Sequence, residues 1–211
     1  MKMSQLCQAS GVPVPSIKFY LREGLLQAGE RTSATQADYN DSHVERLKLI
    51  RALIDIGGLS IATAHRVLEA IDTPNFPLTY IFGIAQLAVS DASLYEDVDP
   101  ASPGALEVAA TMQRMGWRVS DENPGIRGAA RILNTYAALG YDDLAHVSEE
   151  YARAAALVAE ADLAAVGRRT TVDDMAETVV VGTVLGDGLI AALRRIAQEH
   201  VSNTMFPTPR G

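Results

Sequence analysis

Apolar residues recur every three to four positions along nearly the whole chain, a period that predicts helices over strands. A short helix is expected over residues 4–10. Ser4 can cap it, Leu6 and Ala9/Ser10 share one side, and Gly11 offers a left-handed stop. After a three-residue link, a second helix is expected over about 14–23. Pro15 falls in its first turn, where the missing N–H has no partner to lose, and Gly24 ends it. Two short helices joined by a tight glycine-containing turn form a helix-turn-helix pattern. Residues 27–39 are polar, lack a helical period and read as a loop or short β-ribbon. Asn40 or Asp41 then caps a third helix carrying Val44, Leu47, Ile50/Arg51 and Leu53/Ile54, which Gly57-Gly58 stops. Ser60 caps a fourth, with Ile61, Ala64, Val67, Leu68 and Ile71 on one side.

Pro74 and Pro77 follow almost at once, so residues 73–77 read as a linker between a domain over 1–72 and one over 78–202. The second domain shows helical period near 78–90, 103–115, 125–139, 142–166 and 173–200, with no convincing strand. The tail 203–211, with Pro207 and Pro209, is expected to be disordered. The expected fold is all-α: an N-terminal winged helix-turn-helix domain plus a C-terminal helical bundle domain.

Charge sharpens this division. Residues 1–72 hold eight Lys/Arg and eight Asp/Glu, whereas 73–211 hold ten and eighteen, so the whole net charge of −8 lies in the second part. Two parts with different partners are implied, and the neutral first part can still present a local basic face. Apolar runs such as 154–158 and 179–185 are too short to span a membrane, and Gln5, Gln8 and Ser10 interrupt the start of the chain as a signal peptide. A single Cys7 excludes an intrachain disulfide and fits a reducing compartment, so a cytoplasmic location is expected.

The segment Gly11-Val12-Pro13-Val14-Pro15-Ser16-Ile17-Lys18-Phe19-Tyr20-Leu21-Arg22-Glu23-Gly24-Leu25-Leu26 resembles the recognition-helix region of MerR-family regulators. The family shows a Gly-Val start, a basic residue followed by two aromatics, and a Gly-Leu-Leu exit. Arg31, Tyr39 and Glu45-Arg46-Leu47-Lys48-Leu49-Ile50 are similar to its wing and third helix, and Gly57 and Ser60 to its break before the fourth. The resemblance covers about residues 1–71. It implies a homodimer on double-stranded promoter DNA, with Pro15, Ser16, Lys18, Phe19, Tyr20, Arg22, Arg31, Gln36 and Tyr39 at the interface. It also implies an operator between two promoter elements set too far apart, deformed on effector binding so that RNA polymerase engages both. The chemistry agrees. The N-terminal residues of a second helix can face base edges, and Ser16 offers a hydroxyl there. Lys18 and Arg22, four apart, suit phosphates, and the Tyr20 hydroxyl can reach one. Phe19 reads first as core.

Two departures matter. The family's wing carries Gly-Tyr-Arg before its final Tyr, but here Ala37 replaces the arginine and Asp38 adds a charge of DNA's own sign. Wing contacts then come from Arg31, Gln36 or Tyr39, or are weaker. The family's long dimer helix should follow the fourth helix, but Pro74 and Pro77 intervene and 78–90 is short. The last helix is an alternative, since Gly182, Gly186 and Gly188 allow close approach. Packing within one chain explains those glycines equally well.

No metal, cofactor or enzyme site is expected. Cys7 reads as a buried inert thiol, and Asp143, His146 and Glu150 as the solvated start of a helix. No Ser-His-Asp, Cys-His, HExxH or phosphate-cradling glycine pattern occurs. Tyr80, Phe82, Met112, Trp117, Tyr136 and Tyr151, with Met115, Tyr141 and Met175, could line an effector cavity in the helical half or simply form its core. Its acidity points to a small apolar or cationic effector. Two alternatives remain: an effector-independent repressor or architectural DNA-binding protein, and a helical adapter that binds no DNA.

Overall fold

The computed structural model describes residues 1–33, 36–74, 76–90 and 97–206. Helix follows helix: α1 (Met3–Ser10), α2 (Val14–Arg22), then strands β1 (Glu30–Arg31) and β2 (Ala37–Asp38), α3 (Asp41–Arg51), α4 (Ile61–Asp72), α5 (Leu78–Val89), α6 (Pro103–Met115), α7 (Pro124–Ala138), α8 (Ser148–Gly167) and α9 (Val172–Met205). The strands pair antiparallel as a two-stranded wing, Glu30 opposite Asp38 and Arg31 opposite Ala37. An N-terminal helix-turn-helix with a wing, followed by helices, is the all-α architecture expected.

The head forms because the apolar positions of four short helices converge. Leu6, Ile17, Leu25, Leu47, Ile50, Leu53 and Leu68 are all fully buried. Gly11, at φ 68°, takes the left-handed conformation that ends α1, its N–H bonding the Cys7 carbonyl. Cys7 itself is only half-buried, against the expectation of a buried thiol. Arg46 clamps the far side: its Nε donates to the Leu25 carbonyl at 3.0 Å and its Nη1 to Asp72 Oδ1 at 3.0 Å, joining α3 to the end of α4. Beyond Arg51 the third helix runs on as a π-helical segment over Ala52–Ile56, a local widening that apolar spacing does not reveal.

Asn40 caps α3 by accepting the His43 N–H at 3.4 Å, and the His43 ring accepts the Asn40 N–H at 3.3 Å. Burial pushes the His43 imidazole below its ordinary pKa. The folded state therefore binds fewer protons than the unfolded chain. Stability is full above about pH 6.5 and falls as pH drops below it towards the folded value. Thermal unfolding between pH 7 and 5 should show this loss, and His43→Gln should flatten that slope.

Contacts divide the described chain into two units, Met1–Pro77 with the chain from Val180 onward, and Leu78–Val179. This differs from a second domain running over 78–202. The reason is local: Val180 and Val184 are buried, and a Cβ at Gly57 would overlap Val184 Cγ1, so the middle of α9 packs against the turn before α4. Within the other unit, α6 and α7 pack closely because Gly104 has no side chain; its N–H donates to Asn134 Oδ1 at 2.8 Å. Glu107 accepts from Arg114 (2.8 Å) and Ser148 (2.9 Å), which ties α6 to α8. Arg114 above all holds the Glu107 carboxyl below the usual carboxylate range.

Two helix boundaries move from the sequence expectation. Residues Asp142–Val147 form a 3-10 turn before α8, whose N-cap position, Val147, has no side chain able to cap it. The last helix runs on to Met205, through part of the expected tail, and stops as Pro207 approaches. Residues 207–211, Thr35, Asn75 and the side chains of Asp142, Ala145 and His146 lie outside the described residues. By length and composition α9 is apolar enough to cross a membrane, with a mean hydropathy of 1.6 over 18 residues. Uninterrupted apolar runs underrate it, because its glycines and threonines break the runs without adding charge.

Candidate DNA interface

The start of α1, one side of α2 and the wing enclose a cleft of about 510 Å³. Lys2, Lys18 and Arg31 line it together with Ser4, Ser33, Gln36 and Tyr39. Lys18 and Arg31 are exposed, and among the described residues neither has a printed ion pair. Sequence spacing places Lys18 on a helix and Arg31 on a ribbon; the fold brings both to one opening.

The wing turn is held by its backbone. Thr32 and Ser33 both donate to the Gln36 carbonyl, at 3.0 and 3.2 Å, and Tyr39 N–H bonds the Met1 carbonyl at 2.8 Å. The strand register sets Arg31 opposite Ala37, so a cation stands across from the position where the family's wing arginine is missing. Asp38 is no bare charge either. Lys2 Nζ lies 2.9 Å from its carboxylate, and this bond holds Asp38 below the usual carboxylate range. Lys2, Met3, Ser4, Val14 and Ser33 were not singled out from sequence, since only the fold sets the first turn of α1 beside the wing.

The expected interface residues separate into two groups. Pro15, Lys18, Arg22, Arg31 and Gln36 are exposed, and Ser16 is half-buried in the first turn of α2. Arg22 is partly committed, pairing with Glu23 at 3.1 Å and lying 5.2 Å over the Phe19 ring. Phe19 is half-buried, with Tyr20 against its ring at 5.8 Å. The tyrosines sit deeper than a phosphate contact requires. Tyr20 is 9% exposed, and burial, then Asp55, raises its phenol pKa, which sets its neighbourhood at the π segment. Tyr39 is 8% exposed, edge-on to His43, and only its rim reaches the cleft. Their apolar rings were the stronger signal: both are core first.

In the helical unit none of Tyr80, Phe82, Met112, Trp117, Tyr136 and Tyr151 is fully buried, and Tyr80, Trp117 and Tyr151 are exposed. Among the described residues no three His, Cys, Asp or Glu side chains gather as a metal site.

Residues 1–71 match the family model described as MerR HTH family regulatory protein. The crystal structure of SCO5550 from Streptomyces coelicolor A3(2), a protein assigned as a transcriptional regulator, superposes with a TM-score of 0.75 at 30% identity, covering 100% of each chain. The chain belongs to the MerR family of transcriptional regulators. It is also 38% identical over 50 residues to the HTH-type transcriptional regulator ZntR homolog of Haemophilus influenzae. That match spans 24% of this chain and 37% of the relative. As a MerR-family protein the chain is a DNA-binding regulator, and the motifs that carry the likeness are those that build the cleft: α1, α2 and the wing.

Proposed function

We propose that two copies of the chain bind one two-fold-related operator in promoter DNA. Each sets the first turn of α2 in a major groove, with a backbone phosphate in the cleft between α2 and the wing. The carrying observation is the cleft itself: three cations and several hydroxyl and amide donors face one opening, and its only acid, Asp38, is neutralised by Lys2. Ser16 meets a base edge, Lys18 and Arg31 meet phosphates, and Arg22 contacts the flanking backbone from its perch on Phe19. Tyr39 and Tyr20 support the surface from below.

Following the MerR mode, the pair controls transcription by deforming the operator so that RNA polymerase engages both promoter elements. The protein thus acts on DNA in the cytoplasm, and a small apolar or cationic effector on the acidic helical unit biases the pair between two geometries. One observation favours the second reading, an effector-independent repressor or architectural factor. The aromatic residues expected to line a cavity are exposed or half-buried. Titrating candidate effectors against Trp117 fluorescence decides between them: a saturable change supports sensing, and unchanged emission with unchanged operator affinity supports the second reading.

The Lys2–Asp38 pair gives the sharper test of the DNA site. Lys2→Ala bares Asp38 next to phosphate and is expected to weaken binding to a duplex selected from a random pool by about tenfold. Adding Asp38→Ala should recover most of that loss. If the double variant stays as weak as the single, or no duplex is selected at low salt, the cleft is not the DNA site.

A further inference from the structure

Two copies on one operator require a joint between them, and α5, at twelve residues, is less than two heptads long. Helix α9 presents a longer face. From Asp187 to Phe206 no residue is buried, and only Ala191 is half-buried. Leu189, Leu193 and Ile196 are 62%, 49% and 66% exposed. With Gly182, Gly186 and His200 they fall at intervals of four, three, four, three and four residues, the seam of a coiled coil. The helix's other side is already committed: the buried Val180 and Val184 lie about 160–200° around the axis from that seam. A Cβ at Gly182 or Gly186 would meet nothing within 4 Å, so neither glycine serves packing inside the chain.

We infer that this seam is covered by the same seam of a second copy, running antiparallel about Ala191. The inference rests on the two-copy part of the proposed function and names its surface. Antiparallel pairing puts Leu189 against Leu193 of the other copy, Gly186 against Ile196 and Gly182 against His200. Small residues then face large ones in each outer layer, and the layers interdigitate. Parallel pairing would stack glycine on glycine and Ile196 on itself, leaving a void beside a crowd. Flanking the seam, Ile190 meets its own symmetry mate. The area suffices: a strip about 36 Å long and about 13 Å wide removes on the order of 500 Å² per copy, about 1,000 Å² in all, the threshold for a specific interface. Because Val184 ties the same helix to the turn before α4, pairing along α9 fixes the spacing of the two heads, and thus of the half-sites they read.

Sedimentation of the full chain without DNA is the test. The wild type is expected at twice the 22.6 kDa chain mass at micromolar concentration, and Leu193→Lys at the single mass. In a Cys7→Ser background, Ile190→Cys should join to itself through a short bis-maleimide. Ile196→Cys should not, since its symmetry mate lies about 15 Å further along the axis. A wild type at single mass, a Leu193→Lys variant that stays paired, or efficient self-joining at Ile196 overturns the inference. So does wild-type binding to neutral lipid vesicles that Leu193→Lys abolishes, which would make lipid the occupant. If the chain is paired in solution but selects no duplex, the pairing stands and the DNA reading falls.

Discussion

Replacing Lys18 and Arg31 together by alanine is expected to weaken operator binding on the order of 100- to 1,000-fold while leaving the fold intact. Both side chains are exposed and neither has a printed ion pair among the described residues, so their loss removes nothing from the core. Each copy loses two phosphate contacts, four per two-fold site. At roughly 0.7–1 kcal/mol for each exposed contact, the total is about 3–4 kcal/mol. The plot of log affinity against log salt should flatten by about 3–4 units, because fewer counterions are released. Thermal stability should move by no more than about 0.5 kcal/mol. An adapter that binds no DNA would show no salt-dependent association in either form.

A second large effect is expected at Gly57, far from the DNA. Its φ of −75° suits any residue, so the demand for glycine is spatial. A Cβ there would overlap Val184 Cγ1 and come within 2.7 Å of the Leu53 carbonyl oxygen. Gly57→Ala should cost about 2 kcal/mol, which for a head of this size lowers the melting temperature by roughly 10 °C. Val184→Ala alone opens a small void and should cost about 1 kcal/mol. Combining the two should recover part of the loss, since the second change removes the methyl that the first strikes. A double-mutant cycle by thermal unfolding measures this coupling. Strict additivity would mean that α9 does not pack on the turn as described.

How much of this was legible in the sequence depended on distance along the chain. The helix-turn-helix and wing were readable because their signals are local: Gly11, Pro15 and Gly24 punctuate, and Leu6, Ile17, Leu47 and Leu68 keep helical period. Lys18 and Arg31 could be named for the same reason. Tyr20 and Tyr39 were aimed at phosphate because a sequence does not tell which end of an amphipathic ring faces inward; both rings are core. The Lys2–Asp38 pair and the packing of Val184 against Gly57 join residues far apart in the chain, which no period encodes. Equally hidden was the π segment at Ala52–Ile56, whose apolar positions fit an α-helix as well. In the helical half, periodicity located every segment to within a few residues, apart from the 3-10 entry to α8 and the length of α9. It could not separate a cavity lining from an outer surface, since both use exposed or half-buried aromatic side chains.

The most direct test of the central claim is a nuclease footprint of the purified protein on the DNA immediately upstream of its own gene. Two protected half-sites related by a two-fold axis, about one helical turn apart or a multiple of it, with protection lost in the Lys18→Ala/Arg31→Ala variant, are the expected result. Protection absent at low salt, or unchanged in that variant, would contradict the reading of the cleft as the surface that holds DNA.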